Sequence, residues 1–313
     1  MIISASRRTD IPTYYSDWFY NRIKEQYVLV RNPMNAHQVS KIKLSPEVVD
    51  CIVFWTKNPK PMIERLDELK DYKYYFQFTL NSYSKDIEEN IPSKSCEVIE
   101  TFKVLSEKIG AEKVIWRYDP ILLNSKYTIE YHVNYFDKLA SKLKDYTEKC
   151  TISFIDFYKN IKNSIGKLNV KCIGNEEKIH IAQELSKIAF GYGLKMDTCA
   201  EDLDLKDLNI SHAKCIDDKL IERILGYKLN VVKDNNQRLE CGCVSSIDIG
   251  MYNTCFNGCK YCYANHNANS LIKNHQVYDK TSPLLCSQLS EIDKIKEREI
   301  KSLKINQISL FND

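Results

Sequence analysis

The chain has 313 residues, 43% hydrophobic and 28% charged, with a net charge of +3. It is long enough for one large α/β domain or two small ones, and so small a charge neither demands nor excludes a nucleic-acid partner. No apolar run reaches the length of a membrane span, and Met1-Ile2-Ile3-Ser4-Ala5-Ser6-Arg7-Arg8 runs into Thr9-Asp10-Ile11-Pro12 rather than an apolar core, which predicts no signal peptide, no membrane and a cytoplasmic location. Twelve cysteines in that setting predict reduced thiols and metal ligands rather than disulfides.

Short apolar runs that end in polar residues alternate with helical stretches. The first covers 2–6 and ends in Arg7, Arg8, Thr9 and Asp10. The next three cover 51–55, ending in Lys57 and Asn58; 74–80, ending in Asn81; and 113–116, ending in Arg117, Tyr118, Asp119 and Pro120. Two more cover 150–154, ending in Asp156, and 194–196, ending in Asp197 and Cys199. Amphipathic helices are expected between them, as at 96–108 and 177–190. Repeated strand–helix alternation predicts an α/β fold on a parallel sheet, a partial or complete TIM-like (β/α) barrel. An open doubly wound sheet is the alternative, although no glycine-rich phosphate fingerprint follows the first strand. Barrel chemistry sits where strands end. Arg7, Arg8, Asp10, Arg117 and Asp119 are therefore the catalytic candidates, an arginine being suited to hold a carboxylate or phosphate. Each also has a plain reading as a loop cap or solvated charge. No serine–histidine–acid arrangement is readable, and none of the 6 His forms H-E-x-x-H.

The strongest chemical signal comes late, in Thr254-Cys255-Phe256-Asn257-Gly258-Cys259-Lys260-Tyr261-Cys262-Tyr263-Ala264-Asn265. A C-x3-C-x2-C spacing lets three thiolates wrap one face of a [4Fe-4S] cluster. The usual all-protein cluster takes four cysteines, so three leave one iron open, as in catalytic rather than structural metal sites. A zinc knuckle or a chance grouping of buried thiols is the plain alternative. Residues 247–252 alternate like a strand, and a helix is expected to begin at Cys262. Cys199, Cys215, Cys241 and Cys243 form a second set that suits a closed site, either another [4Fe-4S] cluster or structural zinc. Cys51, Cys96, Cys150, Cys172 and Cys286 read as packing residues.

The late motif resembles the radical S-adenosylmethionine (SAM) signature, C-x3-C-x-aromatic-C. That resemblance implies that Cys255, Cys259 and Cys262 hold the cluster, that its open iron binds SAM, and that Tyr261 contacts the cofactor. In that superfamily the unit is normally the first of the barrel; here it is the last, as if relocated or permuted. The wider pattern Cys241-Gly242-Cys243-x2-Ser246-x-Asp248-Ile249-Gly250-x-Tyr252-x2-Cys255, with Ser6-Arg7-Arg8-Thr9-Asp10-Ile11-Pro12, resembles the DUF1848 family across the whole chain. The resemblance implies a fold and a cluster but no substrate.

The domain reading is a barrel core at 1–240, a cysteine-rich cluster segment completing it at 241–280, and a charged tail at 281–313, helical over 287–305. The tail ends in Gln307-Ile308-Ser309-Leu310-Phe311, similar to peptides that dock on the bacterial sliding clamp; its plain reading is packing onto the barrel. The leading function is a radical SAM enzyme that abstracts hydrogen from an unidentified substrate, a nucleic-acid lesion being one class. Flavodoxin or ferredoxin would be its electron donor. The alternative is a non-catalytic iron–sulfur or zinc protein acting as a redox sensor or binding module.

Overall fold

The computed structural model describes residues 1–158, 161 and 165–305. Its strands, in chain order, are β1 (Ile2–Ala5), β2 (Tyr27–Asn32), β3 (Asn35–Lys43), β4 (Cys51–Thr56), β5 (Tyr74–Thr79), β6 (Val114–Ile121), β7 (Lys149–Phe154), β8 (Lys195–Thr198), β9 (Ile210–His212), β10 (Ile247–Asp248) and β11 (Lys294–Glu297). The helices that matter below are α1 (Ile11–Tyr14), α2 (Ser16–Glu25), α3 (Lys60–Ile63), α4 (Ile99–Ile109), α5 (Ile129–Leu143), α6 (Asn175–Gly191), α7 (Asp218–Leu225) and α8 (Ala268–Gln276). This is an α/β fold on one large sheet of eight strands in the order β10-β1-β4-β5-β6-β7-β8-β9. All of its pairings are parallel, and the register aligns Ser4 with both Val53 and Asp248.

The continuous apolar runs have a simple cause: this sheet is covered on both faces, so each strand must offer apolar side chains on both. Phe54, Phe76, Phe78 and Trp116 point to the helical side and pack with Phe19 of α2, Phe102 of α4 and Phe136 of α5. Phe54 stacks on Phe76 at 4.7 Å, and Trp116 stacks on Phe136 at 4.8 Å. Their neighbours Val53, Tyr75 and Ile115 alternate to the other face. There they bury Ile216, Leu220 and Ile221 with Cys215, Cys241, Cys243 and Val244. Tyr75 Oη and Gln77 Nε2 both donate to the Cys215 carbonyl, at 2.6 and 2.9 Å. The segments carrying the second cysteine set, with α7, thus cover the sheet face opposite α2, α4 and α5.

Several expectations are corrected. The antiparallel hairpin of β2 and β3 lies in a stretch where no element was expected, and β3 is exposed at residues 35–38. The segment 287–305 is not helical: it is turns and extended chain with β11 pairing parallel to β3, Lys294 opposite Gln38. Its Lys- and Glu-rich composition favours helix, but a free sheet edge outweighs so weak a preference. No helix begins at Cys262; α8 starts at Ala268, where Asn267 Oδ1 accepts from Ser270 N at 2.9 Å. The strand expected over 247–252 is only Ile247–Asp248. Cys51, Cys150 and Cys286 are buried as packing residues should be, whereas Cys96 and Cys172 are exposed. The peptide 307–311 lies outside the described residues.

Candidate functional site

Two carboxylates fix the cysteine loop against the end of β1. Asp248 ends β10, beside Ser4 in register. Its Oδ2 accepts from Ser4 Oγ at 2.6 Å and Arg7 N at 2.8 Å, and its Oδ1 from Ser6 Oγ at 2.7 Å and Gly250 N at 3.0 Å. Gly250 is required there: a Cβ would stand 2.0 Å from Ser6 Oγ. Asp10 Oδ1 caps α1 by accepting from Thr13 N at 3.1 Å. Its Oδ2 accepts from Lys57 N at 2.8 Å and from Asn257 Nδ2, inside the cysteine loop, at 3.0 Å. Tyr14 Oη donates to Asn257 Oδ1 at 3.0 Å, and Tyr15 Oη to the Thr254 carbonyl at 2.5 Å. Asp10 therefore has each oxygen engaged and acts on position rather than as a free acid.

A third carboxylate, Glu88, is 1% exposed and lies under the other arm of the loop. Glu88 pairs with Cys259 in an isolated antiparallel bridge, and Lys260 N donates to the Ile87 carbonyl at 3.0 Å. Glu88 Oε1 accepts from Lys57 Nζ at 2.7 Å and also from Tyr261 Oη, while Lys94 Nζ lies 2.6 Å from Oε2. Asn81 Nδ2 donates to Tyr261 Oη at 3.1 Å. Burial alone would raise the Glu88 carboxyl, but the two lysines outweigh it and hold it at about 2. Lys57 thereby sits as a buried cation beside Cys259, whose thiol burial nevertheless pushes up to about 12.

The cysteine loop and the strand ends share one cavity of about 520 Å³. Cys255, Cys259, Cys262 and Tyr261 line it, as do Arg7, Arg8 and Asp10 after β1 and Arg117 and Asp119 on β6. The second set, Cys199, Cys215, Cys241 and Cys243, lines it as well. Every residue singled out in the sequence as a catalytic, cofactor or metal candidate is therefore in this wall. Of the other polar strand ends, Asp197 is spent on Lys149 at 2.6 Å and Thr151 at 2.5 Å, away from the cavity. Asn58 binds Glu97 at 2.8 Å, and Asp156 meets Arg238 at 2.5 Å at the rim.

The arginines are held differently. Arg117, 4% exposed, donates from Nη1 to Cys215 Sγ at 2.9 Å and to Gln77 Oε1 at 3.3 Å, and from Nε to Asp119 Oδ2 at 3.0 Å. Arg8 lies over the Tyr252 ring at 5.3 Å and 3.9 Å from Asp248. Arg7 lies over Trp55 at 5.3 Å with only a loose pairing to Asp234 at 3.8 Å, and its buried Nη2 has no hydrogen-bond partner. Thr9 Oγ1 and Asn265 Oδ1, in the same wall, are also buried without partners. The sulfurs of the second set touch: Cys199 Sγ and Cys215 Sγ are 3.2 Å apart. Hydrogen bonds from Cys199 and Cys243, reinforced by Arg117 and Arg7, hold Cys215 well below the usual thiol range. Among the described residues, no three His, Cys, Asp or Glu side chains are drawn together as metal ligands.

The family described as a domain of unknown function, DUF1848, matches residues 2–264. The chain belongs to DUF1848. No curated protein matches this DUF1848 chain. Among solved structures it is similar to a candidate alpha-L-fucosidase from Bacteroides thetaiotaomicron VPI-5482, at 12% identity over 56% of this chain and 71% of that one. The TM-score is 0.25, too low to bear on fold or function.

Sequence reasoning about this DUF1848 protein missed Glu88, Lys94, Tyr14 and Asn257 as supports of the loop. Glu88 lies in the polar run Asp86-Ile87-Glu88-Glu89-Asn90, where nothing marks one acid as buried. Asp248 and Gly250 were visible as fixed points of the motif, though not as a hinge against Ser6.

Proposed function

We propose that this DUF1848 protein is a radical SAM enzyme built on a partial (β/α) barrel, with an open [4Fe-4S] cluster on Cys255, Cys259 and Cys262. The observation that carries the reading is the convergence of three thiols from one loop on a cavity that also receives the polar residues after β1 and Arg117 and Asp119 of β6. The donor set suits the group: three sulfurs from one short loop, the cation of Lys57 beside Cys259, and unpartnered polar atoms on Thr9 and Asn265 in the same wall. The thiols do not yet meet at one point, so loading would have to draw them together.

When bound, such a cluster supplies one electron, received from a donor such as flavodoxin or ferredoxin, to cleave SAM into a hydrogen-abstracting radical. The chain's own contribution is placement. Asp248 and Gly250 fix where the loop leaves the sheet. Asp10, through Asn257, and Glu88, through the backbone at Cys259, fix its two arms. Tyr261 is held by Glu88 and Asn81 at the loop's inner side, the place that the radical SAM resemblance gives to the cofactor contact. Arg8, which lines the same cavity, is placed to hold an anionic part of a substrate.

The test is reductive SAM cleavage by the anaerobically reconstituted full chain, with C255A/C259A/C262A as control. Cleavage by the native protein and its loss in the variant are expected. Cleavage that survives in the variant would reject the assignment, and a native protein that binds iron but never cleaves SAM would favour a redox sensor or binding module.

A further inference from the structure

The second cysteine set plays no part in that reading. We propose that Cys199, Cys215, Cys241 and Cys243 bind a single zinc ion in a closed tetrathiolate site, which fastens the 199–243 region onto the sheet face opposite the helices.

Sulfur spacing selects the ion. Cys199 Sγ and Cys215 Sγ are 3.2 Å apart. Ile216 N, next to Cys215, reaches Cys243 Sγ at 3.4 Å, and a single residue, Gly242, separates Cys243 from Cys241. All four are free thiols, and a separation of 3.2 Å is well beyond a disulfide bond of about 2.05 Å. Thiolates bound at about 2.3 Å to one tetrahedral zinc stand about 3.8 Å from one another. A cubane attaches each thiolate to a different iron and so spreads them wider. A pair as close as Cys199 and Cys215 suits one ion, not a cluster.

The surroundings agree. Arg117 Nη1 donates to Cys215 Sγ at 2.9 Å, and Ile216 N to Cys243 Sγ at 3.4 Å. N–H donors of this kind orient metal-bound ligands. Zinc with four thiolates carries two net negative charges. Arg117 is a buried cation beside the set, and the partly buried Arg7, whose Nη2 lacks any hydrogen-bond acceptor, is a second. Arg117 already has Asp119, whereas Arg7 has only its 3.8 Å pairing with Asp234, so the zinc tetrathiolate adds the anion that Arg7 lacks at close range. Gly242 lets the Cys241–Cys243 turn lie against the strand leading to Cys215: a Cβ there would stand 3.3 Å from the Ala213 carbonyl and 3.1 Å from Lys214 Cγ. Zinc entry would release the remaining thiol protons to solvent and draw the four sulfurs, not yet in ligand geometry, onto one point.

The experiment uses full-length C255A/C259A/C262A protein purified without chelator, so that its outcome is independent of the open-cluster assignment. About one zinc per chain is expected, as for a closed structural site, and adding C199S/C215S should remove it. Because that last variant can lose its fold, the stripped triple variant, with the second set intact, is also titrated with cobalt(II). Thiolate-to-cobalt charge-transfer bands saturating at one equivalent, and displaced by zinc, are expected. Three results would overturn the proposal: neither zinc nor cobalt uptake, iron with inorganic sulfide in place of zinc, or a Cys199–Cys215 disulfide seen as a mass lower by two hydrogens.

Discussion

Glu88 is the residue on which the loop's inner arm depends. It is a buried carboxylate between two lysines, with Tyr261 donating to the same oxygen as Lys57. Replacing it with Gln keeps the shape but removes the charge and leaves Lys57 and Lys94 facing each other without compensation. Breaking a buried ion pair from one side typically costs about 3–5 kcal/mol. E88Q should therefore lose that order of stability in urea unfolding, and its bound iron should fall with it; unchanged stability would show that the lysines are solvated. The sign of the pH effect follows. Because the folded carboxyl is depressed to about 2, its contribution is complete above the ordinary glutamate range and is lost as pH falls from there toward 2. Asp10 makes the complementary point. It was a catalytic candidate by its place at a strand end, but both of its oxygens are occupied by the α1 cap, Lys57 N and Asn257.

At the scale of elements, α5 carries a buried histidine that reports on β6. His132 is fully buried, with Nε2 on the Leu122 carbonyl at 2.9 Å and Nδ1 facing Tyr118 Oη at 2.8 Å. Burial lowers its pKa from 6.5 to about 4. The unfolded chain then binds a proton that the folded chain refuses, so stability should fall as pH drops from 6.5 to about 4, by up to about 3 kcal/mol. Urea midpoints at pH 7, 6 and 5 for the native protein and for H132Q check this: the native protein should lose stability more steeply, and parallel curves would contradict it. The elements themselves were legible where burial on both faces forced long apolar runs, as in β4, β5 and β6, with polar residues marking their ends. They were not legible where pairing depends on a distant partner. Lys294–Glu297 becomes a strand because β3 offers an edge, and nothing within Lys294-Ile295-Lys296-Glu297 announces that. The same limit applies to the site: cysteine spacing is local and readable, whereas the contact of Glu88 with Tyr261 spans a sequence separation of 173.

For the whole molecule, β10 is the decisive placement. The chain reaches it last among the strands of the main sheet, yet it pairs with β1, the first. That closes a long sequence gap and brings Cys255, Cys259 and Cys262 to the ends of β1 and β4 and to Arg117 and Asp119 within β6. The last strand of the main sheet and its loop thus meet residues from Arg7 to Asp119 in a single cavity. Among the described residues no helix is long and apolar enough to cross a membrane. The central claim is that this loop holds an open cluster whose free iron takes SAM. The most direct measurement is the paramagnetic resonance spectrum of the anaerobically reconstituted, reduced protein before and after SAM is added. The account predicts a reduced [4Fe-4S] signal that changes on SAM addition and is absent from C255A/C259A/C262A. A signal indifferent to SAM, or one that persists in that variant, would contradict it.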